Sequence, residues 1–159
     1  MYMGETKQIH FLVNNQNYGI DIMDIRAVEK YDNVSPIIGA PSYVKGVLNL
    51  RGELIPVYSI RRKFNLPDRP VDDEMKLIIV NLPEMAVALE ADSVVGILTV
   101  EEGRTSRRPK MFENTATSFI GQVSEVDGKI IIMIDLEALL PKEERKAMLD
   151  LLEQGKESQ

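Results

Sequence analysis

Residues Tyr43 to Phe64 read Y-V-K-G-V-L-N-L-R-G-E-L-I-P-V-Y-S-I-R-R-K-F, and this stretch decides the fold. Val44, Val47, Leu48 and Leu50 precede Arg51-Gly52, and Leu54, Ile55, Val57 and Ile60 follow it. Aliphatic residues on both sides of a two-residue break predict two strands joined by a tight turn. Gly52 is the natural pivot, because a residue without Cβ takes positive φ freely. Pro56 has no N–H to give to a ladder, so the second strand is expected at a sheet edge or bulged at that point. Arg51 is the oddity, a long cation where a small polar residue would serve the turn better. A side chain held out by a stiff hairpin is placed to contact another molecule; the alternative is an ion pair that braces the turn.

Working outward, the chain before this hairpin is also β in character. Ile9 to Val13 is apolar, Asn14 to Asn17 is N-N-Q-N turn chemistry, and Tyr18 to Ile22 alternates with period two, so a first hairpin is expected. Ile25 to Tyr31 alternates with a displaced Val28, which predicts a third strand with a bulge. Asn33 to Pro41 carries two prolines and a glycine and cannot be a helix interior. Ser59 to Asn65 predicts a short helical turn capped by Ser59. Leu66 to Glu74, L-P-D-R-P-V-D-D-E, is proline-broken and charged, the best candidate linker.

Past that linker the pattern starts again. Phe11 to Asn14 is echoed by Ile78 to Asn81, Ile20 to Ile22 by Val87 to Leu89, and Val28 by Val95. Gly46-Val47-Leu48 corresponds to Gly121-Gln122-Val123, Gly52 to Gly128, Ile60 to Leu136 and Phe64 to Leu140. Matches kept in order across both halves predict two similar β units, and about five short strands apiece suit two small closed barrels. The lobes are expected either as about 20–75 with the chain end against about 7–19 with 76–140, or as one lobe per half. Glu101 to Thr117 reads as a long surface connection. Pro141 opens a closing helix, with Ala147, Met148, Leu151 and Leu152 on one face and fraying from Gly155.

Composition bounds the function. The 159 residues carry a net charge of -6 with 44% hydrophobic residues, ordinary for a soluble domain and poor for nonspecific binding to phosphate backbones. There is no cysteine, so disulfides and thiolate metal sites are excluded and a reducing compartment fits. The N-terminus has no signal-like apolar run, and a cytoplasmic chain is expected. His10 is the one histidine, read as a surface or edge residue. Asp21 with Asp24, and Asp72-Asp73-Glu74, are carboxylate pairs without a metal or nucleotide motif around them. An enzyme or small-ligand site using Asp21, Asp24 and His10 is therefore weakly supported. Two basic clusters remain, Arg61-Arg62-Lys63 and Arg104 to Lys110. Solvated surface, an acidic protein partner and nucleic acid are the three readings, and the scarcity of aromatics disfavours the last.

With these residues in view, the chain resembles the CheW-like family of chemotaxis coupling proteins from about Lys7 to Leu140. The resemblance rests on V-K-G-V-L-N-L-R-G-E-L-I-P-V at Val44 to Val57, with Y-G-I-D-I at Tyr18 to Ile22 and the A-P before Tyr43. It implies a pair of SH3-like β barrels and a stand-alone, non-enzymatic adaptor without cofactor, joining chemoreceptor cytoplasmic tips to the histidine kinase CheA in arrays, the alternative being a paralogue that serves another chemosensory pathway. It also implies that receptor helices dock near Asn49, Leu50, Arg51 and Gly52, with Ile25 and Val28 as apolar floor. For the kinase surface, Arg61, Arg62 and Lys63 are candidates. Where the family shows Asp and Gly after P-V, this chain has Ser59 and Asn65, while Asp135 is kept in the second half.

Overall fold

The computed structural model describes residues 5–101, 105–107 and 120–157. In chain order its strands are β1 (Glu5–Val13), β2 (Gln16–Asp21), β3 (Ile25–Lys30), β4 (Val34–Ser35), β5 (Val44–Leu50), β6 (Glu53–Tyr58), β7 (Lys76–Asn81), β8 (Ala86–Ala91), β9 (Ser93–Glu101), β10 (Thr105–Arg107), β11 (Ile120–Val126) and β12 (Lys129–Ile134). A 3-10 turn spans Ile22–Asp24, and the helices are α1 (Ile60–Lys63), α2 (Leu136–Leu139) and α3 (Lys142–Glu157). Strands dominate, as expected, in two six-stranded sheets rather than units of five. Sheet I runs β10-β11-β12-β2-β1-β9 and sheet II runs β3-β7-β8-β6-β5-β4. Each is antiparallel except at one place, β12 beside β2 and β6 beside β8.

The repeat is visible in this topology, and it is interleaved. The opening hairpin β1–β2 pairs with β9 and β12 of the second half, while β7–β8 pairs with β3 and β6 of the first. The two halves have exchanged opening hairpins. Each half then ends alike. Ser59 accepts from the Arg62 N–H to cap α1, and Asp135 accepts from the Glu137 and Ala138 N–H groups to cap α2. The hydroxyl at Ser59 thus does in the first half what the Asp135 carboxylate does in the second.

Period-two patterning explains two cores. Ile9, Phe11, Val13 and Ile20 of sheet I meet Ile78, Val80, Val87 and Leu89 of sheet II in a shared core closed by Leu139, Leu140 and Met148. Leu77, Ile79, Ala88, Leu48, Ile55 and Val57 turn the other way into a second core within sheet II. β7 and β8 are buried on both faces, which is why they read as continuous apolar runs.

Several expectations are corrected. β6 is interior to its sheet, although it contains Pro56. Its ladder with β8 comprises only Val57 and Tyr58, so the proline lies outside it, and the irregularity falls on β5 between Val44 and Gly46. His10 is neither surface nor edge. It is buried in β1 between β2 and β9, its Nε2 3.0 Å from Gln8 Oε1, and burial holds the imidazole below its ordinary pKa. Leu66 to Glu74 joins α1 to β7 within sheet II. Helix α3 continues through Gly155 to Glu157. Most of Glu101 to Thr117, and of the Arg104 to Lys110 cluster, lies outside the described residues.

Candidate functional site

The β5–β6 turn is a two-residue connection, Leu50 opposite Glu53, with Arg51 at φ 53° and Gly52 at φ 90°. Positive φ at both central positions is the type I′ geometry, whose twist matches the strands it joins. Asn49 supports it from the side, its Oδ1 accepting from the Gly52 N–H at 2.9 Å. Leu50 folds back against the core of sheet II. Glu53 is held by Arg26, whose Nε also reaches Asn81 Oδ1 at 3.0 Å.

Arg51 is left projecting. It is exposed, and among the described residues no hydrogen bond or ion pair engages its guanidinium. The bracing ion pair is therefore not formed. Its backbone is unusual as well. Six described non-glycine residues have positive φ, and five of them, Asn14, Asn15, Asn33, Asn65 and Asp127, are Asn or Asp, the residues that tolerate this region. The sixth is Arg51. The equivalent turn of the second half, Asp127-Gly128, has the same geometry with the residue that turn chemistry favours. Local folding explains Asp127 and does not explain Arg51.

Ile25 and Val28 are not brought together as one floor. The register between β3 and β7 shifts between Ile25 and Ala27; Ile25 is half-buried against the shared core, and Val28 is 39% exposed on the alternate face. Sequence reasoning did not find the apolar residues that do approach Arg51, Met85 of the β7–β8 turn with Leu149 and Leu152 of α3. The spacing of Leu152 on the closing helix was the available signal.

The cations Arg61, Arg62 and Lys63 are spent inside the chain. Arg61 forms a forked pair with Asp92 at 3.0 and 2.6 Å and donates to Pro67 O at 3.0 Å. Arg62 pairs with Asp68 and donates to Ser42 O, and Lys63 pairs with Glu144 at 2.6 Å. Glu144 also accepts from the Tyr58 hydroxyl at 2.8 Å; burial first, and the Glu144 charge second, push that phenol up. Asp21, Asp24 and His10 do not converge. Asp21 caps the 3-10 turn, Asp24 lines one surface hollow, where burial and the Asp21 charge push its carboxyl up, and His10 lines another. Among the described residues no cluster of three or more possible ligands could hold a metal.

The model of the CheW-like domain matches residues 7–144, a span that contains both sheets' hairpins and the first turn of α3. The chain belongs to the CheW-like family. It is 30% identical over 137 residues to the chemotaxis protein CheW of Bacillus subtilis, covering 86% of this chain and 88% of that one. It is 31% identical over 144 residues to CheW of Klebsiella aerogenes, covering 89% and 87%. The crystal structure of the scaffolding protein TtCheW from Thermoanaerobacter tengcongensis superposes with a TM-score of 0.80 at 27% identity, covering 89% of this chain and 96% of that one. A 90-residue stretch is 30% identical to a tenth of the chemotaxis protein CheA of Borreliella burgdorferi. In this CheW-like domain, then, the N-L-R-G hairpin keeps a strained arginine at its tip with no partner among the described residues.

Proposed function

We propose that the chain is a non-enzymatic chemotaxis adaptor that joins the cytoplasmic tips of chemoreceptors to the histidine kinase CheA, working in the cytoplasm at receptor arrays. The observation that carries this is Arg51, a guanidinium free of described partners and held out at φ 53° by a turn that would be more stable with Asn or Asp. Strain kept at an exposed position points to a contact made elsewhere. A hairpin presenting one fixed charge beside apolar surface suits a partner helix, whose register a single ion pair can set. Relatives that carry the same fold are named as chemotaxis and scaffolding proteins. Among the described residues no helix is long and apolar enough to cross a membrane, so array association is read as recruitment by partners.

On this reading Asn49 and Gly52 hold the turn, Leu50 anchors it, and of the pair on β3 only Val28 offers exposed apolar surface, Ile25 being packed against the shared core. Arg61, Arg62 and Lys63 serve the kinase-facing side by bracing α1 and its loop, since their charges are already paired. A net charge of -6 and the paired cations speak against nucleic acid as partner.

The test is Arg51→Asn. Relieving the left-handed strain raises stability by about 1 kcal/mol, while binding to a soluble receptor cytoplasmic fragment weakens. A variant that binds the fragment as tightly as the parent chain removes the hairpin from the site.

A further inference from the structure

A groove of about 600 Å3 runs beside the hairpin tip. One wall is the hairpin itself, with Arg51 and Leu54; the β7–β8 turn supplies Glu84 and Met85; and α3 supplies Leu149 and Leu152. The far wall is firmly seated. Glu144 receives both Tyr58 Oη and Lys63 Nζ, Arg145 pairs with Glu84 at 3.0 Å, and Met148 is fully buried. Leu149 and Leu152 lie three apart on the helix, half-buried, leaving their apolar surface in the groove.

Charge decides the occupant. Glu53 is neutralised by Arg26 and Glu84 by Arg145, so among the described lining residues Arg51 is the ionised side chain without a partner. The groove presents an apolar floor with one positive charge on its rim. We propose that α3 forms the second wall of the receptor-tip site, and that the groove takes an amphipathic helix whose apolar stripe rests on Met85, Leu149 and Leu152 while an Asp or Glu at its edge meets Arg51. This rests on the adaptor reading above and extends it to residues outside the N-L-R-G hairpin.

Two variants of the full chain test it. Leu152→Glu places a like-signed acid against the partner's acidic edge and interrupts the stripe. Affinity for a soluble receptor cytoplasmic fragment is expected to fall about tenfold or more, with CheA binding and the urea midpoint unchanged. Because the chain has no cysteine, Leu152→Cys gives a unique thiol for a nitroxide label. The label is expected to be immobilised by the receptor fragment and unaffected by CheA. The label decides if Leu152→Glu also lowers stability: a label that stays mobile at saturating receptor fragment overturns the proposal, as does undiminished receptor binding by Leu152→Glu. Loss of binding by Arg51→Asn with none by Leu152→Glu keeps the hairpin site and removes α3 from it. Undiminished binding by both variants removes the adaptor site altogether.

Discussion

Asp92→Ala is the most informative perturbation of the scaffold beneath the site. Asp92 is the residue at which the chain leaves β8 of sheet II for β9 of sheet I. Its N–H donates to Leu12 O at 2.9 Å, its Oδ2 accepts from the Asn14 N–H at 2.8 Å, and both carboxylate oxygens receive Arg61. The side chains of Asp92 and Arg61 are 7% and 11% exposed, so solvent screens little of the pair. Removing one partner of a buried pair costs about 3–5 kcal/mol, because the other charge stays behind. Arg61 keeps Pro67 O, which favours the lower end, and the orphaned Asn14 N–H adds to the loss, so about 4 kcal/mol is expected. In a chain of this size each kcal/mol moves Tm by about 2–4 °C, which predicts a fall of about 8–16 °C by circular dichroism. Asp68→Ala is the control. Its pair with Arg62 is 44% and 36% exposed, and about 1 kcal/mol or less is expected. The pH dependence has a definite sign. Burial pushes the Asp92 carboxyl up, but the Arg61 and Asn14 hydrogen bonds and the charges of Arg61 and Arg69 outweigh it and hold the pKa below 3.8. A depressed folded pKa means stability that is present above the unfolded pKa and lost as pH falls through the folded one. The gap between the parent chain and Asp92→Ala should therefore be constant at neutral pH and close below pH 3.8. Equal Tm shifts for Asp92→Ala and Asp68→Ala would refute the reasoning.

The equivalent glycines of the repeat should behave oppositely. A Cβ on Gly46 would lie 2.2 Å from Ser35 O, whereas on Gly121 the nearest atom is 3.5 Å away; Gly46→Ala should lower the urea midpoint by the equivalent of about 1–3 kcal/mol and Gly121→Ala should leave it nearly unchanged. Lys45, the extra residue of the β5 irregularity, pairs with Glu90 at 2.8 Å, the two side chains being 10% and 1% exposed, and sits 5.7 Å from the Tyr31 ring centroid. Lys45→Met should lower the urea midpoint by the equivalent of about 3–5 kcal/mol, since it removes one partner of a buried pair and leaves the other charge behind; a midpoint equal to that of the parent chain would show that the pair contributes nothing there.

Local features were legible in the sequence where their causes are local. The N-N turn after Val13, the Ser59 cap and the Arg51-Gly52 pivot depend on a few neighbouring residues, and each stands where the residues placed it. Partners far along the chain were not legible. Period-two alternation shows which face of β1 is apolar, but it carries no information that β9, more than eighty residues on, will be its neighbour, so His10 could not be recognised as interior. Arg61-Arg62-Lys63 shows its sign in sequence, whereas its counter-ions Asp92 and Glu144 are 31 and 81 residues away. Pro56 misled for a related reason. Proline forbids a ladder bond, not a place inside a sheet, and the two-residue contact of β6 with β8 leaves room for it. The candidate site divided in the same manner: Asn49, Leu50, Arg51 and Gly52 are one turn and were found together, while Met85 reaches that turn through the β7–β8 connection and Leu149 and Leu152 through the packing of α3.

The exchanged hairpins bear on how an adaptor holds its partners. An adaptor transmits only through the relative placement of its surfaces, so shear between its two sheets would dissipate the signal. Sheet I cannot form without β9 and β12, nor sheet II without β3 and β6, and each recruits its central hairpin from the other half of the chain. Separating the sheets would therefore expose the shared core and break the Asp92 crossover at once, which makes partial opening costly. Against that stiff frame the Arg51 tip is strained and exposed, and α3 is latched at Glu144 and Arg145 but leaves its apolar side open. The parts proposed to meet a partner are those the frame holds without covering, as expected of a molecule that works by holding its contacts in fixed relation.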